Sequence, residues 1–455
     1  MDKGTFKRVA SYSIANYFYI AVNAVSNIFV SNILGPTNNG VISYFNAINT
    51  NIDQVVYSTF RSSVERTVPQ INEFKEKIEY AQQACTLNLY VSITFTFVFI
   101  VMGIFAENSL MRASAYMMAL LNLTRSFADF YRIWIRSQNK ISVVAVIMLI
   151  TALFIPVFVI PFSYYFDLQG FWIGRTIVTC FSLGCFVYAS NGLLKIVPLK
   201  RKFLRKILIN GGEIVIFSLF VSGIQTMDKY FIEATIGLEQ LGYYAVGSMV
   251  FTMLLMVPSS VIGAIYPKFV GIVNKDLKAL VCKYSILVEM FSIFIALIAY
   301  SITPILIAYA MPKYIPSIPI VRILLIAFVS YSSVQLRYID VIRKKRMSVL
   351  IKWTVVAFIL SISMFIVTAK LTYNINHFAW CVSACFIFLS AAVNLSWSII
   401  NEYTFIQRFE LFFLTLVPVF VMLPLYIGLN IFALITIVLL VFISIYLFRY
   451  KIIKM

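Results

Sequence analysis

Histidine occurs once in these 455 residues, acidic residues number 18, and charged residues of both signs make up only 12% of the chain. Each scarcity excludes something. The lone His377 cannot build a histidine-based metal cluster or a catalytic dyad with a second histidine. The six cysteines, Cys85, Cys180, Cys185, Cys282, Cys381 and Cys385, contain no CxxC pair and lie in or beside apolar stretches, so they read as small packing residues. No Gly-x4-Gly-Lys-Ser/Thr phosphate loop occurs. No metal and no cofactor is expected. With 61% hydrophobic residues, too little polar surface remains to cover a water-soluble globule of this length.

What fills the chain instead is a series of about fourteen apolar runs, each near the roughly 20 residues that cross a bilayer as a helix. They fall at about 9–34, 38–60, 82–106, 110–133, 141–163, 170–194, 207–236, 240–266, 284–309, 317–339, 348–371, 378–400, 409–428 and 430–448. The runs are continuously apolar rather than alternating, which excludes a membrane β-barrel. The expectation is an all-α polytopic membrane protein of about fourteen transmembrane helices. The first run is long, partly polar and lacks a small-residue cleavage site, so it reads as a retained helix rather than a signal peptide.

The net charge of +19 is distributed in alternate loops. Lys7 and Arg8 begin the pattern; Arg61 and Arg66, Arg132 and Arg136, Lys200 to Lys206, Arg337 to Arg346, and Arg449 to Lys454 continue it. The opposite loops hold little beyond Lys313 and Lys370. This is the positive-inside bias, and it orients the chain with both termini in the cytoplasm. A nucleic-acid surface would instead cluster its cations on one face, so no nucleic-acid partner is expected.

The chain repeats itself once. Gly35 and Gly40 follow the first run, and Gly237 and Gly242 follow the seventh, about 202 positions later with the same spacing. Lys140-Ile-Ser-Val and Arg346-Met-Ser-Val match at a similar offset. Two pseudo-symmetric six-helix lobes follow, 1–194 and 207–400, joined by a basic cytoplasmic linker, 195–206, and followed by a terminal helix pair and tail, 401–455. Six is even, so both lobes enter from the same side, and the repeat is parallel, about an axis along the membrane normal.

The residues Leu34-Gly35-Pro36-x3-Gly40-x2-Ser43, Asp228-Lys229 before Gly237-x4-Gly242-x-Tyr244, and Tyr266-Pro267-Lys268 give the chain a family likeness. It resembles the polysaccharide-transport branch of the multidrug/oligosaccharidyl-lipid/polysaccharide (MOP) exporter superfamily, and within it the Wzx-type repeat-unit flippases. The resemblance implies translocation of undecaprenyl-diphosphate-linked oligosaccharide across the bacterial inner membrane, with no enzymatic activity. It implies a cavity lined by the first, second, seventh and eighth runs, cations that meet the diphosphate, and a polymerase and chain-length regulator as pathway partners.

The residues themselves supply candidates. Polar faces run along the first run (Asn16, Tyr19, Asn23, Ser26, Asn27), the second (Ser43, Asn46, Thr50, Asp53, Tyr57), the seventh (Ser218, Ser222, Gln225, Asp228) and the eighth (Tyr244, Ser248, Thr252). Lipid-facing helices do not carry such stripes, which line a cavity or bond helix to helix. Ionisable residues within runs are rare and functional by default. Arg125 lies roughly 12 Å deep at 1.5 Å per residue, with Asp129 one turn on as a partner. Arg125 and Lys229 are the leading anion-binding candidates, with Asn23, Asn46 and Gln225 for sugar. Arg175 and Arg322 either snorkel to the outer face or contact substrate. Asp53, Asp129, Asp228 and Glu289 are the candidates for ion coupling, Asp53 foremost.

Two other classes stay open. A multidrug exporter of the same superfamily would favour an acidic cavity for cationic drugs. A membrane polymerase or glycosyltransferase would need a large outer loop, and every outer loop here is short.

Overall fold

The computed structural model describes residues 3–269, 274–344 and 346–405, with isolated positions from 407 to 422. Eleven α-helices carry almost all of it, and no strand occurs among the described residues. They are α1 (Lys3–Ile52), α2 (Ser58–Thr67), α3 (Phe74–Phe105), α4 (Ser109–Ser137), α5 (Ile141–Ala189), α6 (Arg201–Ile236), α7 (Leu238–Phe269), α8 (Asn274–Ala310), α9 (Ile318–Arg343), α10 (Met347–Leu371) and α11 (Ile375–Ile400). One π-helical turn, Asp53–Tyr57, joins α1 to α2.

The first twelve expected runs all fall on these helices, two of them sharing α1 and two sharing α5. Among the described residues, eight helices are long and apolar enough to cross a membrane, and these eight hold ten of the twelve runs. The other two runs are α4, which carries Arg125 and Asp129, and α6, which carries Asp228 and Lys229. The expected terminal pair, 409–428 and 430–448, lies outside the described residues, so the count of fourteen does not rest on the structure.

Two of the long helices are folded. α1 breaks at Gly35 (φ 76°, ψ 175°), a conformation that glycine adopts without steric cost, and Pro36 restarts the helix with φ preset. α5 turns back at Phe166 and Asp167, where Asp167 takes a positive φ of 50°. Its halves then pack tightly. A Cβ on Gly170 would lie 1.8 Å from the Phe162 carbonyl oxygen, and one on Gly174 would lie 2.9 Å from the Val159 Cα. Phe154 stacks on Phe181 at 4.2 Å across the same hairpin.

Several residues read as loop cations are helical. α4 runs on to Ser137 and the second run continues through α2 to Thr67, so Arg61, Arg132 and Arg136 project from helices. The apolar run ends earlier than the helix because backbone hydrogen bonding does not stop where hydropathy does.

The basic linker is not a free tether either. Its first half lies along α3. Gln82 donates to the Leu193 carbonyl (2.9 Å), Gln83 donates to the Pro198 carbonyl (2.9 Å) and accepts from Lys200 N–H (2.8 Å), and Thr86 accepts from Val197 N–H (3.0 Å). Lys200 pairs with Glu79 at 2.6 Å. Gln83 is buried, so Gln83→Ala leaves a carbonyl and an amide without partners. The expected loss is about 2 kcal/mol, read as a lower unfolding temperature of the detergent-solubilised protein. An unchanged temperature would show that the linker holds without it.

The chain divides into two compact units, 1–245 and 246–455. In the second unit α9 and α11 meet through small residues: Ser383 donates to the Ile323 carbonyl (2.9 Å) and Ser390 to the Ser330 carbonyl (2.6 Å). Arg337, also read as a loop cation, is fully buried in α9. It bonds Asn394 and lies 5.7 Å over the Trp397 ring, whose indole N–H donates to Asp340 (2.9 Å).

Candidate functional site

The first unit gathers three arginines around two aspartates. Asp53 opens the π turn, where one extra residue per turn changes the direction of the side chains that follow. Two turns on, Arg61 reaches back from α2 and places Nη1 2.6 Å from Asp53 Oδ1. Its Nη2 lies 3.6 Å from Asp129 Oδ2 on α4, and its guanidinium sits 5.3 Å from the Tyr57 ring centre. Arg132 Nη2 meets Asp129 Oδ1 at 2.8 Å, whereas Arg125 Nε stands off at 3.9 Å. Arg136 binds Glu65 at 2.7 Å and donates to the Tyr12 hydroxyl at 3.3 Å.

This corrects the simple Arg125–Asp129 pair. Asp129 is held chiefly by Arg132, with Arg61 second, and Arg125 is the loosest of the three. Burial ranks them differently at the top, with Arg61 the most buried, but again leaves Arg125 the most exposed. The Arg61 side chain is 7% exposed, Asp129 17%, Arg132 34% and Arg125 42%. Three guanidiniums against two carboxylates leave one net positive charge, and it is Arg125 that presents it.

A neutral layer backs the cluster. The Tyr57 hydroxyl donates to Asn122 Oδ1 (3.0 Å), Asn122 Nδ2 donates to the Ser92 carbonyl and to Thr96 Oγ1 (both 3.3 Å), and the Ser92 and Ser126 hydroxyls share a bond of 2.6 Å. The second run is thereby fastened to α3 and α4. Asn122 belongs to this packing and not to the exposed arginine face.

The other expected site residues divide. Arg175 does not snorkel: its Nη2 donates to Asn27 Oδ1 (2.8 Å) and its head lies 5.4 Å over Phe171. Lys229 turns onto its own helix, 3.5 Å from Asp228 Oδ1 and donating to the Gln225 carbonyl (3.3 Å), with Asp228 buried beside it. Asn23 is part-buried and its Oδ1 has no hydrogen-bond partner. Asn46 is exposed. In the second unit, Arg322 lies 4.5 Å over the Tyr300 ring and Glu289 is buried.

The polar stripes serve two purposes. Ser26 and Ser222 are buried and bond carbonyls of their own helices, Val22 and Leu219. Asn27 and Tyr57 bond across helices. The residues that tie the second and seventh runs together lie beside the expected ones: Asn51 Nδ2 donates to the Tyr230 hydroxyl (2.9 Å), Thr226 donates to Asn51 Oδ1 (3.0 Å), and the Tyr44 and Tyr230 rings meet edge to face at 5.7 Å. Arg61, Asn51 and Tyr230 were absent from the sequence candidates. Only for Arg61 was there a signal: an aspartate inside an apolar run needs a counter-charge, and helix geometry puts position 61 two turns from Asp53. Among the described residues no group of three histidine, cysteine or carboxylate side chains is placed to hold a metal ion.

The chain matches no known family model and no curated protein. Solved structures resemble it over most of its length. An inward-facing multidrug resistance MATE family transporter of the MOP superfamily superposes with a TM-score of 0.61 at 12% identity, over 84% of this chain and 96% of the other. An outward-facing MATE family transporter gives 0.58 at 14% identity, over 88% and 96%. A MOP superfamily transporter from Pyrococcus furiosus, described as having a binding pocket of reverse polarity that suggests a different function, gives 0.57 at 14% identity, over 90% and 99%. The chain therefore has the multi-pass helical fold of the MATE transporters of the MOP superfamily.

Proposed function

We propose that this protein is a membrane transporter of the MOP type that flips undecaprenyl-diphosphate-linked oligosaccharide from the cytoplasmic to the periplasmic leaflet of a bacterial inner membrane. The observation that carries the reading is the arginine cluster. Its carboxylates are already answered by Arg61 and Arg132, so the exposed Arg125 is left to an anion from outside the protein. A lipid diphosphate cannot enter hydrocarbon with its charge uncompensated, and charge-assisted bonds from guanidinium offset that cost. The sugar would meet exposed amides and hydroxyls such as Asn46, while the polyprenyl chain stays in lipid. The two lobes would rock about this site in alternating access. Coupling to an ion gradient would run through Asp53, the more exposed of the two cluster carboxylates. A polymerase and a chain-length regulator would work on the product.

A second reading is a multidrug exporter. It is favoured by the fold, which several multidrug resistance transporters share. Pocket charge is not fixed by this fold, since one neighbour is described as reversed in polarity, so the test must be functional. Deletion of the gene should abolish surface polysaccharide and accumulate lipid-linked repeat units on the cytoplasmic leaflet, and the wild-type chain should restore both. Unchanged glycan with heightened drug sensitivity would establish the exporter instead. Units that reach the outer leaflet but stay unpolymerised would point to a polymerase.

A further inference from the structure

The two glycine turns, 202 positions apart in sequence, touch each other through their backbones, and they do so reciprocally. A Cβ built on Gly40 would lie 1.9 Å from the carbonyl oxygen of Leu238, the residue after Gly237. A Cβ built on Gly242 would lie 1.8 Å from the carbonyl oxygen of Pro36, the residue after Gly35. No real side chain survives either distance. Within each turn the glycines divide the work. Gly35 and Gly237 take positive φ (76° and 100°) with open space where a Cβ would go, so they are needed for conformation. Gly40 and Gly242 have no such φ and are needed for space.

Around this contact Asn39 Nδ2 donates to the Gly242 carbonyl (3.3 Å) and its Oδ1 accepts from Ser31 (3.3 Å). Leu34, Val41, Leu241 and Tyr244 are buried beside it. The contact is close but weak in kind. Glycine Cα–H groups against carbonyl oxygens are worth on the order of 0.5–1 kcal/mol each, and one long amide bond adds little. The direct contacts described between the turns are these close backbone approaches and one amide bond of 3.3 Å.

We propose that the two Gly-x4-Gly turns form a reversible clasp, closed here, at the face that the charge pattern assigns to the periplasm, and that Gly40 and Gly242 set how readily it closes. The proposal rests on the alternating-access reading above, because the turns follow the first and seventh runs, which the sequence repeat assigns to different lobes, while both turns fall within the compact unit 1–245. Opening that face requires them to separate. A side chain at either position holds the turns apart and biases the protein toward the open form.

Hydrogen–deuterium exchange of the purified full-length protein tests this without any substrate, so the result does not depend on what is transported. In the wild type, amides of 35–41 and of 237–242 should exchange with one common protection, lower than that of the α9 core, because a clasp exposes both sides at once. Gly40→Ala should speed exchange at 237–242, and Gly242→Ala at 35–41, each by roughly ten- to a hundredfold, with 347–400 unchanged as the folding control. Asn39→Ala, which introduces no clash, should speed 237–242 by a smaller factor. If each alanine speeds only its own turn, or the facing turn does not respond, the contact is static packing and the clasp is refuted. If both glycine variants fail to fold, Asn39→Ala decides alone: faster exchange at 237–242 upholds the clasp and no change overturns it. A functional flippase with unresponsive turns, or responsive turns in a drug exporter, would separate this proposal from the assignment of substrate.

Discussion

Arg61→Ala should destabilise the protein by about 3–5 kcal/mol, the cost typical of removing one partner from a buried ion pair. The magnitude follows from what the substitution leaves behind. Arg61 serves two carboxylates on different helices, Asp53 at 2.6 Å and Asp129 at 3.6 Å, and is itself 7% exposed. Asp129 keeps Arg132 at 2.8 Å, so its loss is partial. Among the ion pairs described, Asp53 loses its only one, and the second run loses its charge link to α4. Thermal unfolding in detergent measures the effect. Arg61→Lys should fall between, because one ammonium cannot reach both carboxylates in the way a planar guanidinium does, nor cover the Tyr57 ring as well. Asp53→Asn placed on Arg61→Ala should recover part of the loss, since the amide needs no counter-charge. If the double variant is less stable than Arg61→Ala alone, the destabilisation comes from packing and not from the orphaned carboxylate.

That residue also marks where reading the sequence stopped. Helical class and run positions were legible, because continuous apolar stretches of bilayer length permit little else. The glycine turns were legible as turns, since a break between two apolar runs with glycine at a fixed spacing has few other uses. Their mutual contact was not, because no sequence pattern states that Gly40 faces Leu238. Arg61, Arg132 and Arg337 looked like loop cations, since hydropathy marks where the apolar run ends and not where the helix ends. The hairpin at Phe166 and Asp167 was hidden for a different reason. Its bend is taken by a non-glycine residue, while the glycine it needs, Gly170, sits one turn later where the two halves meet. The docking of the linker on α3 could not be seen either: Gln82, Gln83 and Thr86 are unremarkable polar residues until the chain folds back on them.

Arg125→Gln should separate stability from transport. Arg125 is 42% exposed and 3.9 Å from its carboxylate, so its pairing is of the surface kind and its loss should change stability by no more than about 0.5 kcal/mol. If it meets a diphosphate, the missing charge-assisted bonds, worth about 1.5–3 kcal/mol, should lower flipping at limiting substrate by roughly ten- to a hundredfold at normal protein levels. Arg132→Gln cannot give that separation, because Arg132 also holds Asp129 at 2.8 Å and its removal should lower stability and transport together. The comparison of the two is more informative than either alone. Equal loss of transport with unequal loss of stability would place both guanidiniums against the substrate. Full transport in Arg125→Gln would leave the net charge of the cluster without a role and sink the diphosphate reading there. A cationic substrate predicts the opposite sign: removing a positive charge from the site should then improve its export, and Asp53→Asn, not Arg125→Gln, should be the damaging change.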